Sequence, residues 1–122
     1  PIPVYQQQIS QVILNLIVNA THAIQDKIQK TGEAKGIIKI ESLSRMEYLV
    51  IKVSDNGCGI PEDIRDKVFN PFFTTKEVGQ GTGQGLSMAY NVIVENHDGN
   101  IYFETESGKG TTFIIELPIK GI

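Results

Sequence analysis

Four glycines stand at every second position, Gly79, Gly81, Gly83 and Gly85, in the stretch KEVGQGTGQGLS. Glycines at this density let backbone approach a ligand closely or adopt conformations closed to other residues. Two familiar phosphate loops do not fit. A dinucleotide fingerprint needs glycines at i, i+2 and i+5 directly after a strand. Counted from Gly79, Gly81 and Gly83, the i+5 positions hold Gln84, Leu86 and Met88. A P-loop needs G-x-x-x-x-G-K-[ST], and the single Gly-Lys pair, Gly108-Lys109, runs into Gly110. What remains is a glycine run feeding a helix N-terminus, where free N–H groups and the helix dipole favour an anion. A flexible linker has the same composition.

A second group lies in DNGCGIP, where Asp55 ends an apolar run and Gly57 and Gly59 follow. A carboxylate accepts hydrogen bonds and cannot donate them. Such a group suits an exocyclic amine like that of adenine and repels the carbonyl that guanine carries there. Gly59 would let a planar base lie against the backbone, although Asp-Asn-Gly is also an ordinary turn. The third group is a polar stripe, Gln8, Gln11, Asn15, Asn19 and His22, at three- and four-residue spacing and hence on one helix face. An amide oxygen can ligate Mg²⁺ beside phosphate oxygens and water; it can equally tie a helix to neighbouring backbone.

The elements that must position these groups follow from periodicity. Ile9, Val12/Ile13, Leu16/Ile17, Ala20, Ala23/Ile24 and Ile28 predict a helix over about residues 7–29. GIIKIESLS and YLVIKVSD predict two strands. Pro61-Glu62-Asp63 opens a short helix through Val68. FNPFFTTKEVGQGTG is aperiodic and long for a connection, the mark of a functional or mobile loop. Leu86, Ala89, Tyr90 and Val92/Ile93 restore helical spacing from about Thr82 to Glu95, ending near Gly99. NIYFETES and TTFIIELPI predict a terminal hairpin. Strands in pairs beside helices point to an α/β layered sandwich.

Length and composition bound the function. The 122 residues suffice for one domain, with 40% apolar and 20% charged residues. A net charge of −3 and the absence of any run of Lys and Arg argue against a nucleic-acid or anionic-membrane surface. The apolar stretch Val12 to Ala20 is far too short to span a bilayer, and the lone Cys58 fits a reducing compartment. The opening PIPVYQQQ, without a methionine, suggests a piece of a longer protein.

In order, N-L-I-V-N-A-x-x-A, D-x-G-x-G-I, F-x-P-F-F-T-T-K and G-x-G-x-G-L closely resemble the N, G1, F and G2 boxes of sensor histidine kinases. Their superfamily includes gyrase, the MutL mismatch-repair proteins and a heat-shock chaperone. GKGTTFIIELP is similar to that family's last strands, so the resemblance runs from about Gln11 to Pro118. It implies the Bergerat ATP-binding fold, a two-layer α/β sandwich with a mixed sheet, three helices on one face and a flexible lid over about Phe69 to Gly83. The implied cofactors are ATP and Mg²⁺.

Carried over by position, Asn19 resembles the Mg²⁺ ligand, and Asn15, Asn19 and Lys76 the residues nearest the chemistry. Asp55 resembles the adenine-reading carboxylate, with Gly57, Gly59 and Ile60 shaping the base pocket. Phe72, Phe73, Thr75 and Lys76 fall in the lid. Gly81, Thr82, Gly83, Gly85 and Leu86 resemble the phosphate-facing G2 box, and Thr111 a threonine supporting the adenine site. Departures are His22, where many relatives have Lys, and Gln84, where Leu is usual. Hydrolytic members carry a glutamate where this chain has Asn15, which cannot take a proton at neutral pH.

The resemblance therefore implies phosphoryl transfer to a protein histidine. Neither His22 nor His97 lies in a sequence like the family's acceptor motif, so the phosphoacceptor and dimerisation helices are expected upstream of residue 1. The implied partners are that domain and a response regulator. The implied setting is cytoplasmic, within an expected homodimer that can be membrane-anchored, with no nucleic acid and no direct membrane contact expected of this domain. The alternatives are an anti-sigma-factor-type serine kinase and a binding module switched by ATP.

Overall fold

A helix with apolar residues four apart has one side that water disfavours, and on that side the core of this molecule begins. The computed structural model describes residues 3–32, 35–45, 47–69 and 85–118. Helix α1 (Pro3–Thr31) buries Val12, Leu16, Ala20 and Ile24 along one stripe. Each fully buried Val, Leu or Ile contributes roughly 1.5–3 kcal/mol relative to exposure. That burial docks a helix carrying two asparagines in its middle. Gly32, at φ 77°, ends it by donating its N–H to Ile28 O at 2.8 Å, as a left-handed C-terminal cap does.

Strands β1 (Ile38–Arg45), β2 (Tyr48–Asp55), β3 (Asn100–Glu106) and β4 (Gly110–Pro118) form one sheet in the order β1-β2-β4-β3. The α/β sandwich expected from the sequence is present, but its four strands pair antiparallel throughout instead of forming a mixed sheet. The reason lies in the last hairpin. β2 and β3 run in the same direction, and β4 turns back from β3 to enter between them, so no two neighbouring strands among the described residues are parallel. The register sets Asp55, the last residue of β2, opposite Thr111 near the start of β4.

Alternate residues of the sheet face the helices: Ile51 and Val53, Phe113, Ile115 and Leu117, and Ile101 join Val12 and Leu16 in one buried cluster. A second helical run completes it. Helix α2 (Gly85–Tyr90) passes directly into a π-helical turn (Asn91–Asn96) and contributes Ala89, Val92 and Ile93. Asp98 takes the positive φ that ends this run, at 55°, and Gly99 donates its N–H to Ile93 O at 2.8 Å. A β-carbon on Gly99 would strike Glu116 O of β4, so glycine there allows close backbone packing.

Two expectations change here. Of the three helices expected on one face, α1 and the α2 run cover the sheet. The third, a 3₁₀ helix (Glu62–Lys67), has no buried residue and packs against no other described element. Phe69, expected at the start of a mobile lid, instead sits in an aromatic cluster, its ring 5.8 Å from Tyr90, 6.1 Å from Phe103 and 6.4 Å from Phe113. Adjacent Val68 is buried as well. An aromatic ring gains more from that packing than from solvent, so the core reaches as far as Phe69. The rest of the expected lid, residues 70–84, lies outside the described residues.

Candidate functional site

The end of β2 carries Asp55, the carboxylate that the sequence singles out, opposite Thr111 of β4. Asp55 Oδ1 accepts the N–H of Gly57 at 2.8 Å, which turns the chain sharply after the strand. Burial pushes the Asp55 carboxyl above the ordinary carboxylate value; the N–H groups of Gly57 and Thr111 and the charge of Lys27 oppose that shift without cancelling it. The side chain is thus an acceptor partly withdrawn from water, a setting in which a matched donor is worth more than on an open surface.

The loop after Asp55 is pressed between α1 and the last hairpin, and glycines make this possible. A β-carbon on Gly57 would lie 2.7 Å from the Ala23 carbonyl carbon of α1. Gly59 holds φ at 79°, and a β-carbon there would meet Glu106 O at 2.6 Å. Gly110, at φ 140°, packs onto Asp55 O. From the hairpin side, Gly108 donates its N–H to Cys58 O at 2.8 Å. Thr111, 5% exposed, is the one buried polar residue among the described residues.

The sequence-predicted residues therefore divide. Asp55, Gly57, Gly59, Ile60 and Thr111 converge at the junction of β2 and the β3–β4 turn. Asn15 and Asn19 lie half-buried on α1, two turns and one turn before Ala23, with Asn15 Oδ1 accepting from Gln11 at 3.2 Å. Gly85 opens α2, and Leu86 packs against the core cluster. Phe72, Phe73, Thr75, Lys76, Gly81, Thr82 and Gly83 lie outside the described residues.

Three residues join the site that sequence reasoning missed. Asn56 pins the segment between α1 and β1: its Oδ1 accepts the Ile37 N–H at 2.8 Å and its Nδ2 donates to Lys35 O at 3.2 Å. Lys27 donates its Nζ to Asn56 O at 3.1 Å, bringing a positive charge towards Asp55. Thr105 accepts the Ile60 N–H at 2.9 Å. Only the Asp-Asn-Gly triplet carried any sequence signal, that of a turn.

The chain resembles known proteins over nearly its whole length. Residues 5–121 match the family described as histidine kinase-, DNA gyrase B-, and HSP90-like ATPase. The chain is 47% identical over 118 residues to the sensor kinase CckA of Brucella abortus, an alignment covering 91% of this chain and 12% of that protein. It is 39% identical over 112 residues to the sensor histidine kinase ZraS of Escherichia coli, covering 92% of this chain and 22% of that protein. It therefore spans less than a quarter of either curated relative. A nucleotide-free structure of the catalytic domain of histidine kinase ThkA superimposes with a TM-score of 0.75 at 38% identity, covering 92% of this chain and 67% of that one.

Proposed function

The chain belongs to the family of histidine kinase-, DNA gyrase B- and HSP90-like ATPases, and on that premise we propose that it is the ATP-binding catalytic domain of a sensor histidine kinase. Family membership implies ATP as the ligand. The observation that carries the reading is the Asp55 carboxylate, partly desolvated and fixed by the Gly57 N–H at the junction of strand, helix and hairpin. An acceptor without a donor of its own selects a ring bearing an amine.

The residues present fit Mg-ATP. Asp55 accepts the exocyclic amine of adenine, and Gly57 and Gly59 leave backbone without side chains at two positions where the base can lie against the loop. Asn19, half-buried one turn along α1 from Ala23, offers an amide oxygen of the kind Mg²⁺ accepts. Gly85 and Leu86 bring the start of α2 towards the phosphates, while Lys76, Phe72, Phe73, Thr75, Gly81, Thr82 and Gly83 supply the lid. Bound Mg-ATP supplies the transferable phosphoryl group and neutralises charge as it moves. Asn15 orients without removing a proton, which disfavours attack by water and favours transfer to a protein side chain.

The acceptor in this proposal is a histidine on a separate dimerisation domain of a homodimer, and the phosphate passes on to a response-regulator aspartate. In this proposal the domain works in the cytoplasm, where a response regulator is met. The test is transfer from γ-labelled ATP to the dimerisation domain of the same protein. Label that is lost in acid and kept in base marks phosphohistidine and supports the reading. Acid-stable label marks a serine kinase, and ATP binding with no transfer marks an ATP-switched binding module; either overturns it.

A further inference from the structure

Two contacts hold the turn after β2 against α1, and they lie four residues apart on that helix. Gly57 packs on the Ala23 backbone, and Lys27 Nζ donates to Asn56 O at 3.1 Å. Residues at i and i+4 share a helix face, so one side of α1 grips both residues that follow Asp55. Asn56 is fixed from its other side by Ile37 N and Lys35 O, which keeps the ammonium's acceptor in place. The grip at Lys27 also brings a charge. Lys27 is half-buried, and a charge drawn partly out of water acts more strongly on its neighbours than one on an open surface. Burial of Asp55 works against its ionised form, which alone is an acceptor with no proton of its own. Other titratable groups on the elements around it are His22 and Asp26 of α1, Lys35 and Lys39 near the start of β1, Cys58, and Glu106 and Lys109 of the last hairpin. Lys39 pairs with Glu41 at 3.6 Å and Lys109 with Glu106 at 3.3 Å. Lys27 is the one whose charge favours an ionised Asp55.

We propose that Lys27 is a positioning residue of the nucleotide site, clamping the turn after β2 and holding Asp55 ionised as the solution becomes acidic. The hydrogen bond to Asn56 O fixes where the ammonium stands, and the ammonium offsets part of what burial does to the carboxyl. Nucleotide binding then persists to a lower pH than burial of Asp55 alone would allow. This inference rests on the adenine reading of Asp55.

The test follows the Asp55 carboxyl by carbon NMR through an acid titration of the nucleotide-free protein, and ADP affinity by calorimetry over the same pH range. Wild type is compared with Lys27→Met, Lys27→Gln, Lys27→Arg and Lys39→Met. Lys27→Met removes the charge, Lys27→Gln keeps an N–H donor without it, and Lys27→Arg keeps both. Lys39→Met removes an exposed lysine that pairs with Glu41. Both uncharged Lys27 variants are expected to titrate Asp55 at a higher pH than wild type and to lose ADP affinity at a higher pH. The ionisation of ADP is common to all the proteins and cancels in the comparison. Lys27→Arg and Lys39→Met should leave both midpoints where they are. A purely structural lysine would lower affinity at every pH and leave the Asp55 midpoint unmoved, and that result overturns the proposal. An equal shift in Lys39→Met does so too. Should Lys27→Met fail to fold, Lys27→Gln decides by the same criterion. An Asp55 midpoint that moves while the ADP profile stays fixed overturns the proposal through its premise, the adenine reading, and leaves the action of Lys27 on Asp55 standing.

Discussion

Gly57 and Ala23 touch so closely that a β-carbon on Gly57 would sit 2.7 Å from the Ala23 β-carbon as well as from its carbonyl carbon. The helix backbone cannot yield as a flexible side chain would. Gly57→Ala should therefore push the end of β2 away from α1, costing about 1–3 kcal/mol of stability by overpacking. Nucleotide affinity should fall with it, because the same shift moves Asp55. Chemical denaturation checks the first effect and calorimetry the second; an unperturbed Gly57→Ala protein contradicts both.

The raised pKa of Asp55 has two consequences of opposite use. Adenine binding needs the ionised form, so affinity should fall as pH drops through a value above the ordinary 3.8 of a carboxyl. Stability runs the other way. A carboxyl whose folded pKa is raised stabilises the fold fully below its unfolded pKa and loses that contribution as pH rises through the folded value. The nucleotide-free Asp55→Asn protein, still able to accept the Gly57 N–H, should melt higher than wild type at pH 7. The difference should vanish below about pH 3.8. Melting curves at both pH values decide the matter.

Asn56 holds the chain between α1 and β1 with two side-chain hydrogen bonds. Each such bond contributes about 0.5–1.5 kcal/mol net. Asn56→Ala should cost on the order of 1–3 kcal/mol and accelerate amide exchange at Ile37 in particular. Unchanged exchange at Ile37 would show that other contacts hold this segment.

Two leucines of α1 make a matched pair. Leu16 is 1% exposed in the core, whereas Leu14 is 52% exposed. Leu16→Ala should cost about 2–5 kcal/mol through lost burial and the cavity left behind. Leu14→Ala should stay within about 0.5 kcal/mol of wild type. Denaturant midpoints of the two variants test where the helix docks.

How much of this was legible in the sequence depended on distance along the chain. The stripe Val12, Leu16, Ala20 and Ile24 and the alternation in YLVIKVSD and TTFIIELPI are local, and they foretold α1 and the strands. Asp55 was singled out by its resemblance to the G1 box, since Asp-Asn-Gly by itself reads as an ordinary turn. The entry of β4 between β2 and β3 was not, since strand order is a choice among non-local pairings that no periodicity encodes. Nor was the contact of Ile60 with Thr105, 45 residues apart, or that of Lys27 with Asn56, 29 apart. Phe69 was misread for a related reason. An aromatic in an aperiodic stretch has no period to assign it, and only its neighbours Tyr90, Phe103 and Phe113 place it in the core.

The central claim is that Asp55 reads the adenine of a bound nucleotide. Calorimetric titration of this chain with ATP and with GTP, in the presence of Mg²⁺, beside the same titrations of Asp55→Asn, tests it most directly. A hydrogen bond to a charged partner is worth about 1.5–3 kcal/mol. Wild type should thus bind ATP well ahead of GTP, and Asp55→Asn should lose roughly 10- to 100-fold in ATP affinity. Equal affinity of the two proteins for ATP would contradict the account.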